Sequence, residues 1–221
     1  MKKTILITGA NRGIGLAFVQ HYLRRGERVL AVCRQSSAEL DSSGAEVFAS
    51  VDVADPASIA GLQERLSGVS IDVLINNAGI LRDERLGSID YATVLEQFEV
   101  NTLGPLRVTE ALLGNLGKGA KVALITSRMG SIADNTSGGR YGYRMSKAAL
   151  NIAGVSLARD LQPRGIAVAL LHPGYVQTAM VGFGGDISAE EAARRLITRI
   201  DELNLENSGS FWHSNGEILP W

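Results

Sequence analysis

The 221-residue chain contains a single cysteine, Cys33, which excludes a disulfide within the chain and any cysteine-based metal site. Its three histidines, His21, His172 and His213, stand far apart, so each reads as a packing or surface residue rather than a ligand. No apolar run approaches the roughly 20 residues needed to span a bilayer. The amino-terminal stretch Ile5-Leu6-Ile7 is cut by Asn11 and Arg12, too early for a signal peptide. Charge of one sign is also missing. With a formal net charge of -1 and scattered basic residues, no Lys/Arg stripe is available to displace counterions along a phosphate backbone. The expectation is therefore a cytoplasmic protein with no nucleic-acid partner and no membrane association.

Linkers, internal repeats and low-complexity tracts are absent as well. A hydrophobic content of 45% without a break in composition suits one domain over residues 1–221. Short apolar runs at 5–8, 28–33, 46–51, 71–75, 121–126 and 166–172, with a final strand-like stretch near 208–213, alternate with helical segments. That alternation predicts an α/β fold: a single-domain Rossmann architecture with a doubly wound, mainly parallel seven-stranded sheet flanked by helices. Helix punctuation agrees, since Asp55 can cap with Pro56 at the first helical position and Ser188 with Glu191 fits a capping box.

Chemistry concentrates in four places. The first apolar run leads into Thr8-Gly9-Ala10-Asn11-Arg12-Gly13-Ile14-Gly15, where glycines allow positive φ and close approach of backbone N–H groups to a pyrophosphate at a helix start. The run at 72–75 stops at Asn76-Asn77-Ala78-Gly79, amides able to clamp neighbouring loops. A third run ends at Ser127. Tyr143 and Lys147 stand at i and i+4, sharing a helix face, so the ammonium could lower the tyrosine pKa and fit it for proton transfer near neutral pH. In an open parallel sheet the first three places converge beyond the carboxyl ends of the strands, where ligands bind.

Taken in order, Thr8–Gly15, Asn76–Gly79, Asn101, Ser127, Tyr143, Lys147 and Pro173-Gly174 resemble the signature motifs of the short-chain dehydrogenase/reductase family and span nearly the whole chain. The resemblance implies that Tyr143 is the general acid/base, that Lys147 binds the nicotinamide ribose and tunes Tyr143, that Ser127 polarises a substrate carbonyl, and that Asn101, in the helical run 91–113, positions a water leading to Lys147. It implies cofactor contacts at Gly9, Asn11, Arg12, Gly13, Ile14, Gly15, Asn77, Ala78 and Gly79, at Asp52 and Val53 near the adenine, and at Tyr143, Lys147, Pro173, Gly174, Val176 and Thr178. Residues 179–190, with Met180 and Phe183, look like a short substrate lid. No metal site is expected.

Cofactor choice is electrostatic. Where an NAD-preferring site has a carboxylate at the end of the second strand, this chain has Cys33-Arg34, and Arg34 with Arg12 could grip a 2′-phosphate, helped by Ser36 or Ser37. NADP(H) is expected, with NAD(H) possible. The stretches 141–147 and 206–209 and the tail to Trp221 further resemble the C-factor-like and sniffer-type carbonyl reductase subgroup, whose members are often dimers or tetramers. Two functions follow from that likeness. One is reduction of a small-molecule aldehyde, ketone or quinone; the other is a C-factor-like signalling or regulatory protein that binds NAD(P) with little turnover. A homodimer or homotetramer is expected in either case.

Overall fold

The computed structural model describes residues 2–221. Its strands are β1 (Thr4–Thr8), β2 (Arg28–Val32), β3 (Glu46–Phe48), β4 (Ile71–Asn76), β5 (Leu116–Ile125), β6 (Ala167–His172), β7 (Val176–Gln177), β8 (Ile187–Ser188) and β9 (Phe211–His213). All but β7 and β8 join one sheet in the order β3-β2-β1-β4-β5-β6-β9, every pairing parallel. Consecutive residues of a strand point to opposite faces, so Leu6 packs on one side and Ile5 and Ile7 on the other; Val168 and Leu170 are likewise separated from Ala167, Ala169 and Leu171. Both faces are apolar because both are covered.

One face is covered by α3 (Pro56–Arg65), α5 (Gly104–Ala111) and α6 (Tyr141–Leu161), the other by α1 (Gly13–Arg24) and α7 (Ala189–Glu202). Helix α6 lies very close to the sheet. A Cβ at Gly154 would stand 2.7 Å from Leu170 Cδ2 and 2.8 Å from Leu124 Cδ1, so only glycine permits this approach. Two short segments complete the helices, α2 (Ala38–Asp41) and α4 (Tyr91–Phe98). No described helix is long and apolar enough to cross a membrane.

The expected caps form, with one difference. Asp55 accepts from the amides of Ala57 and Ser58, and Ser188 accepts from the amide of Glu191 at 3.1 Å. The Glu191 carboxylate does not complete the box; it turns outward to Arg194 and Arg195 at 2.6–2.7 Å, whose charged donors outcompete one backbone amide. Other boundaries also move. The run at 46–51 is a strand only to Phe48, because Ser50 takes φ +59°, and β5 begins five residues earlier than the apolar run at 121. The helical run 91–113 is not one helix: a π-helical turn, Glu99–Leu103, separates α4 from α5.

Candidate functional site

Because β1, β4, β5 and β6 are adjacent and parallel, their carboxyl ends bring Gly9, Asn77, Ser127 and Pro173 to one edge of the sheet. The joint between the first two is a set of hydrogen bonds. Thr8 Oγ1 accepts from the amides of Asn77 and Ala78, while Asn77 Nδ2 donates to the carbonyls of Thr8 and Gly9 at 3.0 and 3.2 Å. The amide at the end of β4 therefore clamps the glycine-rich turn. Gly9, at φ +66°, has Ala78 Cα where a Cβ would come within 2.8 Å, and a Cβ at Gly15 would collide with the Gly9 carbonyl and with Asn77.

The turn leads directly into α1, whose first residue is Gly13. Arg12 precedes it in extended conformation, and no side chain caps the helix. Its first-turn N–H groups and the positive end of its dipole therefore face an opening suited to a pyrophosphate. Thr178 stands across that opening, since a Cβ on Gly13 would lie 3.3 Å from Thr178 Cγ2. The residues present thus fit a dinucleotide at the glycine-rich turn.

Arg12 is exposed, and Arg34 at the end of β2 is also exposed, its Nη1 lying 3.7 Å from Asp52 Oδ2. Asp52 also accepts from the amide of Ala54. Of Ser36 and Ser37, the first spends its donor locally, while the second is engaged only as an acceptor. Ser36 donates to Asp41 at 2.5 Å and Ser37 caps α2 at the amide of Leu40.

Ser127 follows β5 and is buried, its Oγ accepting from the amide of Met129 in a tight turn, Arg128–Gly130. Gly130 holds this turn against the helix: a Cβ there would lie 2.7 Å from the carbonyl carbon of Lys147. Asn151 links the same parts, accepting from Thr126 Oγ1 at 2.6 Å and donating to the Gly130 carbonyl. Neither Gly130 nor Asn151 carried a sequence signal, because each acts through contact with a segment about 20 residues away. These contacts bring Ser127 to Tyr143, in the first turn of α6.

Tyr143 and Lys147 are 8% and 4% exposed. Lys147 Nζ donates to the Ile125 carbonyl at 2.9 Å and stands 5.8 Å from the centre of the Tyr143 ring. Burial holds the Lys147 pKa down at about 8. The expectation that Lys147 lowers the Tyr143 pKa is corrected by the structure. Burial raises the Tyr143 pKa above its ordinary value, and the opposing influences are hydrogen bonding with Ser127 and the more distant charge of Arg140. Loss of solvation outweighs them, and the ammonium is directed at a carbonyl rather than at the phenol.

Asn101 is fully buried in the π-helical turn. Its Oδ1 accepts from the Ile80 amide at 2.8 Å, and its Nδ2 donates to the Ile80 carbonyl and to Ser146 Oγ. Gly79 fills the gap between Asn101 and Lys147: a Cβ there would be 3.2 Å from Asn101 Oδ1 and 3.7 Å from Lys147 Nζ. Beyond β6, Gly174 lies at φ +95° and Val176 is buried, while Tyr175, Met180 and Phe183 are exposed. A separate concavity lined by Gln63, Glu64, Ser67, Asn115 and Gly117 opens at the opposite edge of the sheet and contains none of the residues singled out above.

A model of the family described as short chain dehydrogenase matches residues 3–191. The chain is 45% identical over 224 aligned residues, covering 99% of each sequence, to 1-hydroxy-2-glutathionyl-2-methyl-3-butene dehydrogenase of Rhodococcus sp. (strain AD45). It is 51% identical over 154 residues, 68% of this chain and 93% of the relative, to the C-signal protein of Myxococcus xanthus. Among solved structures, the NADPH-bound carbonyl reductase from chicken fatty liver superposes with a TM-score of 0.90 at 32% identity, covering 100% of this chain and 99% of the other. The carbonyl reductase Sniffer of D. melanogaster does so with a TM-score of 0.92 at 29% identity, covering 100% of both. The family and subgroup resemblances read from the motifs are the ones these similarities return.

Proposed function

The chain belongs to the short-chain dehydrogenase family, and on that premise we propose that it is an NADP(H)-preferring oxidoreductase that interconverts a small aldehyde, ketone or quinone with the corresponding alcohol. The observation that carries the reading is the convergence of three buried groups at the carboxyl edge of the sheet: Ser127 just after β5, Tyr143 in the first turn of α6, and the Lys147 ammonium on the Ile125 carbonyl. The nicotinamide, when bound, supplies or accepts the hydride. The protein's own part is to orient the substrate and to move a proton. Ser127 donates a hydrogen bond to the substrate oxygen, and Tyr143, kept protonated by burial, gives its proton to that oxygen in the reducing direction. Lys147 stands beside the Tyr143 ring, and its lowered pKa lets it exchange a proton near neutral pH.

Binding follows the same edge. Gly9, Asn11, Gly13, Ile14 and Gly15 are assigned to the pyrophosphate, and Asp52 and Val53 to the adenine end. Asn77, Ala78, Gly79, Pro173, Gly174, Val176 and Thr178 are assigned to the nicotinamide side. Arg12 and Arg34 would hold the 2′-phosphate, with Arg34 exchanging the weak Asp52 contact for it. Asn101 fixes Ile80, and with it Gly79 beside Lys147. Residues 179–190 would close over the substrate with Met180 and Phe183. The exposed guanidinium of Arg34 at the end of β2 and the NADPH-bound neighbour support the cofactor preference.

The test is NADPH oxidation against a panel of carbonyl compounds, including the aldehyde of a glutathionyl alcohol, since a 45%-identical relative is named for such a substrate. Tyr143→Phe is expected to lower kcat by about 10²- to 10⁴-fold while NADPH affinity stays within about twofold. A second reading rests on the 51% identity to the C-signal protein. NADPH binding with no turnover of any carbonyl by the unsubstituted chain would favour that reading and remove the first.

A further inference from the structure

Helix α6 bears Tyr143 in its first turn, yet its own flanking residue does not cap it. Arg140 lies at φ 50°, ψ 48°, and makes no side-chain bond to the first-turn amides. The donors are met from a distant part of the chain. Glu84, only 3% exposed, accepts from the Gly142 amide through Oε2 at 3.2 Å, and its backbone carbonyl accepts from the Arg140 amide at 2.9 Å. The other carboxylate oxygen accepts from Gln97 Nε2 and from Thr93 Oγ1. Gln97, fully buried in α4, uses its own oxygen to accept from the Arg82 amide at 2.9 Å. The fit leaves no slack at Gly142, where a Cβ would stand 2.9 Å from Glu84 Oε1 and 3.0 Å from Val94 Cα.

We infer that Glu84 is a positioning residue: its carboxylate, braced by Gln97, caps α6 and fixes where the Tyr143 phenol stands relative to Ser127. A buried carboxylate holding the Gly142 amide and Gln97 Nε2 is a rigid support, because releasing either leaves an N–H unpaired away from water, whereas Thr93 Oγ1 also has the Asp90 carbonyl at 2.9 Å. A negative charge also suits the positive end of a 21-residue helix. The segment from Gly79 to Glu84 is thereby tied at three points, by Asn101 at Ile80, by Gln97 at Arg82 and by Glu84 at Gly142. Misplacing a proton donor by about 1 Å can lower turnover on the order of a hundredfold while leaving binding nearly intact. This inference rests on the reading of Tyr143 as the proton donor.

The experiment exploits a mismatch of donors. In Glu84→Gln, the new amide offers one acceptor and one donor, so either the Gly142 amide or Gln97 Nε2 faces another N–H. In the exchanged pair Glu84→Gln/Gln97→Glu, the Gly142 amide, the 84–97 contact and the Arg82 amide are all matched again, and only the bond from residue 97 to the Thr93 carbonyl is given up. Expected for Glu84→Gln are a fall in kcat of about ten- to a hundredfold, carbonyl KM and NADPH affinity within about twofold, and recovery of kcat to within about threefold in the exchanged pair. Unchanged kcat, a defect confined to NADPH binding, or no recovery in the exchanged pair would overturn the inference. If Glu84→Gln does not fold, Glu84→Asp, which withdraws the oxygens by one methylene, must show the same loss of kcat, and an unchanged kcat overturns it. Hydrogen exchange of the Gly142 amide reads the cap without turnover. It should quicken in Glu84→Gln, and unchanged exchange there sinks the cap even if the chain proves not to reduce carbonyls, a failure that the Tyr143→Phe comparison detects separately.

Discussion

Lys147 shows how far a residue's meaning depends on its surroundings. In sequence it is a cation four positions from a phenol. In the fold it is a nearly dry ammonium on a strand-end carbonyl, with its pKa lowered from 10.5 to about 8. The unfolded chain therefore holds a proton that the folded chain gives up between those values, so this group's contribution to stability rises with pH across that window. Relative to Lys147→Met, the unsubstituted chain should gain roughly 2 kcal/mol between about pH 8 and pH 10, measured by urea unfolding. A difference that stays flat would mean that Lys147 is not desolvated. Spacing to Lys147 marks Tyr143 as the proposed proton donor but does not give the direction of its pKa shift, because desolvation comes from packing that spacing does not describe. Glu84 left no mark in the sequence at all: an acid among Arg82, Asp83 and Arg85 reads as a solvated loop residue.

Helical elements were legible as types more than as units. The apolar run at 91–113 carries helix periodicity throughout, and only the packing against α6 explains why it opens into a π-helical turn at Asn101. That turn swings the Asn101 amide onto both backbone groups of Ile80. Asn101→Ala should strip Ile80 of both partners and lower stability by about 2–4 kcal/mol in chemical denaturation, whatever happens to turnover. Asn101→Asp keeps the acceptor for the Ile80 amide, so its loss should be smaller. A fully stable Asn101→Ala would show that the clamp carries no energy and leave the asparagine a role in proton transfer alone. The caps at Asp55 and Ser188, by contrast, follow from local sequence, since side chain and amide lie within three residues.

For the whole molecule, the parallel order β3-β2-β1-β4-β5-β6-β9 places the glycine-rich turn, the Asn77 clamp and Ser127 along one edge. A ligand that binds there stabilises the entire domain by mass action. NADPH at about a hundredfold over its dissociation constant should add about 2.7 kcal/mol and raise Tm by roughly 5–10 °C. NADH at the same concentration should raise it less, and Arg34→Asp should reverse that order in a thermal-shift measurement. Equal shifts for both cofactors in the unsubstituted chain would remove Arg12 and Arg34 from cofactor choice.

Legible from the chain alone were the fold class, the glycine-rich turn, and the residue types of the proposed catalytic set. Each of these depends on local backbone preference or on hydrophobic periodicity, which a single segment carries within itself. Left to the packing of the fold were the burial that raises Tyr143 and lowers Lys147, the fit of Gly130 against the helix backbone, and the reach of Glu84 to Gly142. Those are contacts between segments remote along the chain, and solvation and hydrogen-bond partners are settled only when the segments meet.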